Sequence, residues 1–463
     1  MVLHPIPVLA AALAIPILGL AVPLEAQPFS QQPVIRLSAT EILIDEPLEI
    51  TVSGLPPGSR VLLRMMAWSQ LGTWTSSAEF AAGRDGTVDL DSDAPIAGTY
   101  EGADSMGLFW SAVPDSTAAT ESAVPPNTER VRLIAELEGE PVAEATLTRQ
   151  VIRPGVQVLP IRTDALIATF FLPSPAAGSG PYPGVLVLGG SECGLQSAEA
   201  HAAALASHGF AALALAYCAW PDESGRPLSG MEALPQGLWM VPLEAVERGL
   251  EWLRARSEID AERIGVWGAS KGAELALLLA SANPIVRAVV AYSPSHVVWQ
   301  GLDFRGERRS SWSRDGYPVP FVPFTQDEAR IRDYTRGGPR YITHLYRASL
   351  DDEAAVAEAL IPVERINGPV LMVSGGNDLL WPSTLMAERI VDRLEGSGGR
   401  ATHLYYEGAG HAIGRPFRPT TGLSATPNFA LGGDAAAYAA AERDSWPRVL
   451  RFLRESLAGR GPL

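Results

Sequence analysis

Gly268-Ala269-Ser270-Lys271-Gly272 sets a serine among small residues, directly after the apolar run Ile264 to Trp267 and directly before an alanine- and leucine-rich stretch. A strand that turns sharply into a helix needs small neighbours, because larger side chains would collide with the adjoining strand. The amino terminus of the helix adds partial positive charge where negative charge would develop. A serine hydroxyl is a poor nucleophile near neutral pH, so a base must take its proton and an acid must orient that base. Two later strand-like runs end in suitable groups. Val370 to Ser374 leads into Gly375-Gly376-Asn377-Asp378, and His403 to Tyr406 leads into Glu407-Gly408-Ala409-Gly410-His411. The chain order makes Ser270 the expected nucleophile, Asp378 the acid and His411 the base of a site that attacks an acyl group. Taken singly, Asp378 also reads as a turn acid before Pro382, and His411 as a surface loop residue. Placement of both just past strand ends favours the catalytic assignment. His403 falls inside a strand run and is expected to be packed or edge-exposed. His201 and His208 lie in or after a helix preceding Ser270, and His296 and His344 fall where a substrate contact is conceivable.

A tetrahedral intermediate also needs donors for its oxyanion. The backbone N–H of Lys271 is one candidate, and that of Ser191, in the turn Gly189-Gly190-Ser191-Glu192, is the other. Lys271 is the only lysine in the chain. A cation in the first turn of a helix opposes the macrodipole, so a carboxylate is expected beside it, either Glu274 or Glu192. The two cysteines, Cys193 and Cys218, each follow an apolar run. They form a disulfide if those runs are parallel neighbours in an oxidising compartment, and otherwise stand as two buried thiols.

Elements able to hold these groups alternate along the second part of the chain. Strand-like runs at Gly184 to Leu188, Ala211 to Ala216, Ile264 to Trp267, Ala288 to Tyr292, Val370 to Ser374 and His403 to Tyr406 are separated by helical stretches. Those stretches are Ala198 to Ser207, Pro242 to Ala255, Lys271 to Ala282, Thr384 to Leu394 and Ala435 to Leu457. Such alternation predicts a mostly parallel sheet covered on both faces, an α/β domain over residues 160–460. An arginine-, serine- and proline-rich insertion at about 295–345 is expected to lie over the site. Residues 33–153 instead show short alternating segments between turns, as at Leu48 to Val52, Arg60 to Trp68, Thr87 to Leu90 and Arg130 to Leu137, and predict an Ig-like β-sandwich. Met106, Phe109, Trp68, Trp74 and Trp110 are expected in its core.

With 463 residues the chain is long enough for two such domains, and its net charge of −16 argues against nucleic-acid binding. No cofactor or metal is expected, since metal-ligand spacing and Walker or dinucleotide glycine loops are absent from the sequence. Residues 1–26 read as a signal peptide ending at Ala26, which predicts export to a periplasmic or extracellular space without stable membrane insertion after removal. If the leader is not such a signal, a cytoplasmic or membrane-anchored protein follows. Arg305, Arg308, Arg309 and Arg314 either receive an anionic substrate or form a solvated face. Oligomeric state is not legible.

The Ser270 elbow, Ser295 to Gly301, Gly376-Asn377-Asp378, Gly410-His411 and the tail from Gly432 to Trp446 together resemble the acyl-CoA thioesterase and bile acid-CoA:amino acid N-acyltransferase family, within the α/β-hydrolase superfamily. Asp45-Glu46-Pro47, Gly54 to Gly58, Gly86 to Leu90, Gly98-Thr99-Tyr100 and Met106 to Ser111 extend the resemblance to the first domain. The resemblance implies an α/β-hydrolase domain behind the sandwich and a small-molecule acyl thioester substrate, a fatty acyl-CoA, cleaved to acid and CoA. Transferases of this family carry cysteine as nucleophile, so Ser270 implies water as acceptor. Alternatives are an exported carboxylesterase of the same mechanism, an acyl transferase to an amine, or a catalytically silent binding protein.

Overall fold

The computed structural model describes Met1 and residues 32–116, 124–222, 224–302, 308–325 and 340–458. Apart from Met1, the expected leader lies outside the described residues. No helix among those described is long and apolar enough to cross a membrane.

The N-terminal part is built from β1 (Val34–Leu37), β2 (Glu41–Leu43), β3 (Ile50–Ser53), β4 (Arg60–Ser69), β5 (Gly72–Ala81), β6 (Val88–Asp89), β7 (Ala97–Gly98), β8 (Val113–Pro114), β9 (Thr128–Leu137) and β10 (Glu140–Gln150). One sheet runs β1-β3-β6; the other runs β2-β10-β9-β4-β5-β7, with β8 also on β5. Alternation along β4 turns Val61, Leu63, Met65 and Ala67 inward, where they meet Phe80, Val131, Leu133 and Ala135 of neighbouring strands and Ile50, Val52 and Val88 of the smaller sheet. Both sheets therefore share one apolar core. The short helix α1 (Gly107–Trp110) closes it with Phe109 and Trp110, preceded by Met106, and Trp74 packs at its margin; these aromatics are packing residues. Trp68 is half-buried.

From residue 157 onward the described strands are β11 (Gln157–Thr163), β12 (Leu166–Leu172), β13 (Tyr182–Leu188), β14 (Ala211–Leu215), β15 (Val241–Pro242), β16 (Ile259–Ala269), β17 (Val286–Tyr292), β18 (Trp312–Arg314), β19 (Tyr317–Pro318), β20 (Val370–Gly375) and β21 (Ala401–Tyr406). An eight-stranded sheet runs β11-β12-β14-β13-β16-β17-β20-β21. It is parallel from β14 to β21, with β12 and β11 added antiparallel at one edge. Helices α2 (Gln196–Ser207), α3 (Leu243–Arg254), α4 (Lys271–Ala282), α5 (Thr343–Ser349), α6 (Glu353–Ala359), α7 (Ser383–Gly396) and α8 (Ala435–Ser456) follow in chain order. Leu186 and Leu188 of β13 face α3, α4 and α7, whereas Val185 and Val187 face α2 and α8. A sheet buried on both sides explains why these strands read as unbroken apolar runs.

The expected insertion opens as core: Ser295 to Trp299 are buried, and Val298 N–H and His296 C=O bond to Ala359 and Ile361 at 2.9 and 3.0 Å. Its strand β18 pairs with β15, and β19 turns back on β18. The segment after His411 makes several of the contacts between the two halves of the chain. Arg149, buried over the Phe109 ring, pairs with Glu129 at 2.7 Å and donates to the carbonyls of Ile44 and Phe417. Thr420 N–H and Thr421 Oγ1 donate to the carbonyls of Trp110 and Ala112 at 2.9 and 2.7 Å. Asp45 accepts from Trp446 at 2.8 Å and lies 2.9 Å from His208 Nε2.

Candidate active site

Ser270 sits between β16 and α4 with φ 54° and ψ −120°, a strained backbone that the elbow imposes. Its N–H donates to Tyr292 C=O at 2.8 Å, which pins the turn. Gly272 allows α4 to cross the next strand closely, since a Cβ there would overlap the carbonyl oxygens of Leu188 and Gly189.

The structure brings Ser270, Asp378 and His411 together. His411 Nε2 lies 2.9 Å from Ser270 Oγ, and His411 Nδ1 lies 2.9 Å from Asp378 Oδ2. The Asp378 side chain is 2 % exposed and that of His411 8 %. Desolvation on that scale is tolerated only if the carboxylate is fully bonded. Oδ1 accepts the N–H groups of Leu380 and Trp381 at 2.9 and 3.1 Å, and Oδ2 accepts Ser383 Oγ at 2.6 Å. The His411 backbone is held by Ser293 Oγ, which donates to its carbonyl at 2.8 Å, and by its own N–H on Leu431 C=O at 2.9 Å. Trp381 presents its ring edge-on to the imidazole at 5.8 Å. Ser293, Trp381 and Ser383 have no spacing relation to the nucleophile, so only the fold reveals them.

On the opposite side of Ser270 stands the loop after β13. Gly190 lies against Ser270, and its N–H is committed to Glu192 Oε1 at 2.9 Å. Ser191 N–H and Lys271 N–H have no acceptor among the described residues, which is the condition an oxyanion donor must meet. Cys193 and Cys218 form a disulfide across the ends of the parallel neighbours β13 and β14, with Cα atoms 5.1 Å apart. Of the two carboxylates considered for Lys271, Glu274 is the partner: Nζ to Oε2 is 2.6 Å, and both side chains are buried. Burial, the largest influence, drives the ammonium down and the carboxyl up, and the mutual charge opposes both shifts. Glu192 bonds Ser197 and the Gly190 amide instead.

The other histidines among the described residues stand apart from this chain of bonds. His403 bonds Ser374 at 2.7 Å, His201 stacks on Trp267, His208 meets Asp45, His296 meets Arg389 at 3.1 Å, and His344 stacks on Tyr341. Burial holds the imidazoles of His201 and His296 down to about 3, so both are neutral at ordinary pH. Of the arginines considered for an anionic substrate, Arg314 is tied to Glu247 at 3.0 and 2.8 Å, Arg308 is exposed, Arg309 is half-buried, and Arg305 lies outside the described residues.

A sheet of this order, with a serine on the elbow and an acid and histidine on later strand ends, defines an enzyme of the α/β-hydrolase fold. Residues 167–303 match the dienelactone hydrolase family. Residues 241–459 match the family described as "BAAT / Acyl-CoA thioester hydrolase C terminal", and residues 45–163 match its N-terminal region. Acyl-coenzyme A thioesterase 6 of Mus musculus is 30% identical over 443 residues, covering 90% of this chain and 95% of that protein. Acyl-coenzyme A amino acid N-acyltransferase 2 of Mus musculus is also 30% identical, over 449 residues, covering 92% and 99%. Peroxisomal succinyl-coenzyme A thioesterase of Mus musculus is 30% identical over 429 residues, covering 89% and 94%. The chain belongs to the acyl-CoA thioester hydrolase and bile acid-CoA:amino acid N-acyltransferase family.

Proposed function

We propose that the protein is a serine acyl hydrolase that cleaves fatty acyl-CoA to free acid and CoA through an acyl-enzyme. The observation carrying this reading is the unbroken run from Ser270 Oγ through His411 to Asp378, at 2.9 Å for each contact. His411 Nε2 takes the Ser270 proton as Oγ attacks the thioester carbonyl, and the amides of Ser191 and Lys271 receive the oxyanion. The C–S bond breaks and the thiolate leaves with the proton from His411. Water, deprotonated by His411, then attacks the Ser270 ester, and Ser270 leaves with its proton restored. Asp378 holds the imidazole in the tautomer that both halves require. Acyl-CoA is supported as the substrate class by the names of the relatives. Serine in place of cysteine supports water as the acceptor.

Fluorophosphonate should label the wild-type protein and leave Ser270→Ala unlabelled; label persisting in that variant means another nucleophile. Rates on palmitoyl-CoA and on simple aryl esters then fix the substrate class, and ester turnover with no thioester turnover sinks the thioesterase reading. A second reading, an exported carboxylesterase of the same mechanism, is favoured by the Cys193–Cys218 disulfide, since such bonds persist in oxidising compartments. Cell fractionation and the mass of the mature amino terminus test it.

A further inference from the structure

The loop carrying Ser191 is gripped by one short segment. Tyr217 Oη donates to the carbonyls of both Gly189, at 2.8 Å, and Gly190. Trp220 Nε1 donates to the carbonyl of Ser191 at 2.8 Å. Three successive carbonyl oxygens are thus drawn toward residues 217–220. In a planar trans peptide the N–H points opposite to the C=O of the same unit, so fixing the Gly190 carbonyl also fixes the direction of Ser191 N–H. That amide is the proposed oxyanion donor on this side of Ser270. Cys193 N–H adds a second bond to Gly190 C=O at 3.0 Å, and Tyr217 N–H bonds Cys193 C=O at 3.1 Å. Burial first, then the carboxylates of Glu192 and Glu274, push the Tyr217 phenol well above its ordinary value, so it donates at any working pH.

The other donor, Lys271 N–H, begins α4, and the same region of the fold reaches it. Tyr217 packs edge-on against Trp312 of β18, with ring centroids 5.7 Å apart. Trp312 Nε1 donates to Glu274 Oε1 at 2.7 Å, and Trp299 N–H donates to that oxygen at 3.2 Å. Glu274 Oε2 holds Lys271 Nζ, which stands 5.5 Å from the centre of the Trp312 ring. A continuous set of buried contacts therefore runs from one donor to the other through Trp312.

We propose that Tyr217 and Trp220 are positioning residues that aim the Ser191 amide, and that Trp312 sets this loop in register with the Lys271 end of α4, so that the two donors converge on one oxygen. This rests on the serine acyl hydrolase reading above. None of the three residues needs to touch the substrate. Loss of aim lowers stabilisation of the tetrahedral state without weakening ground-state binding, so kcat changes and KM does not.

The test measures kcat, KM and the affinity of a trifluoromethyl ketone, which adds to serine and mimics the oxyanion, in Tyr217→Phe, Trp220→Phe and Trp312→Phe. Removing an oxyanion donor outright costs about 10²–10³ in kcat, so misaiming one is expected to cost about 10- to 100-fold in Tyr217→Phe. The ketone should weaken by the same factor while KM stays within about two-fold of wild type. Tyr217→Phe combined with Trp312→Phe should cost less than the product of the single effects, because the residues act in one set of contacts. Wild-type kcat and ketone affinity in Tyr217→Phe, or a change confined to KM, overturns the proposal. If Tyr217→Phe does not fold, Trp220→Phe decides by the same two criteria, its residue being only half-buried. Failure of the underlying reading is separable, because then wild-type protein shows no fluorophosphonate labelling at Ser270.

Discussion

Asp378 is the most heavily bonded group of the site, with Leu380 and Trp381 amides on one oxygen and Ser383 and His411 on the other. An amide in its place would present an N–H to one of these donors and favour the wrong imidazole tautomer. Asp378→Asn is therefore expected to lower kcat by about 10⁴ with the fold intact. Ser383→Ala removes one bond to a charged acceptor, worth about 1.5–3 kcal/mol when intact. Partial transmission to His411 gives an expected fall of about tenfold in kcat at unchanged KM. Steady-state assays of both variants check this ordering; equal losses would show that Ser383 matters as much as the carboxylate itself. The meeting of Ser270, Asp378 and His411 was legible in sequence because each sits just past a strand end. Ser383 and Tyr217 were not, because any residue able to donate at the right place would serve and their partners lie in other elements.

Helix α8 shows how an element distant from Ser270 supports it. Glu442, fully buried on that helix, accepts Gly414 N–H at 2.9 Å just beyond His411. Burial dominates and pushes its carboxyl up from 4.5 to about 8, against the Gly414 bond and the charges of Arg418 and Arg415. Between these two values the native state holds a proton that the unfolded state has released, so stability falls as pH rises through this window. Glu442→Gln keeps the acceptor and cannot ionise. Its melting temperature relative to wild type should rise from about pH 5 to about pH 8 and level off beyond; a difference independent of pH would refute the assignment. The α/β alternation was legible because strands β13, β14, β16, β17 and β20 are buried on both faces and read as apolar runs. Strands β5 and β10, which carry Thr75, Ser77 and Glu79 and Glu144, Thr146 and Thr148 on their less buried faces, and the exposed edge strand β11, lacked that signature. The disulfide depended on strand neighbourhood, which spacing alone leaves open.

At the scale of the molecule, Arg149 of the N-terminal sheets is bonded to Phe417 C=O, six residues beyond His411. Arg149→Ala leaves Glu129 buried without its partner and should destabilise by about 3–5 kcal/mol. The exposed pair Arg60–Glu79 should cost less than about 1 kcal/mol when Arg60 is truncated. Urea unfolding of both variants checks the contrast, and comparable losses would contradict it. Because Phe417 also packs into the N-terminal core, the segment after His411 belongs in part to the other half of the chain. The two halves are consequently not interchangeable cassettes. A chimera that takes its first half from a relative is therefore expected to need a matching 415–421 segment to keep these contacts.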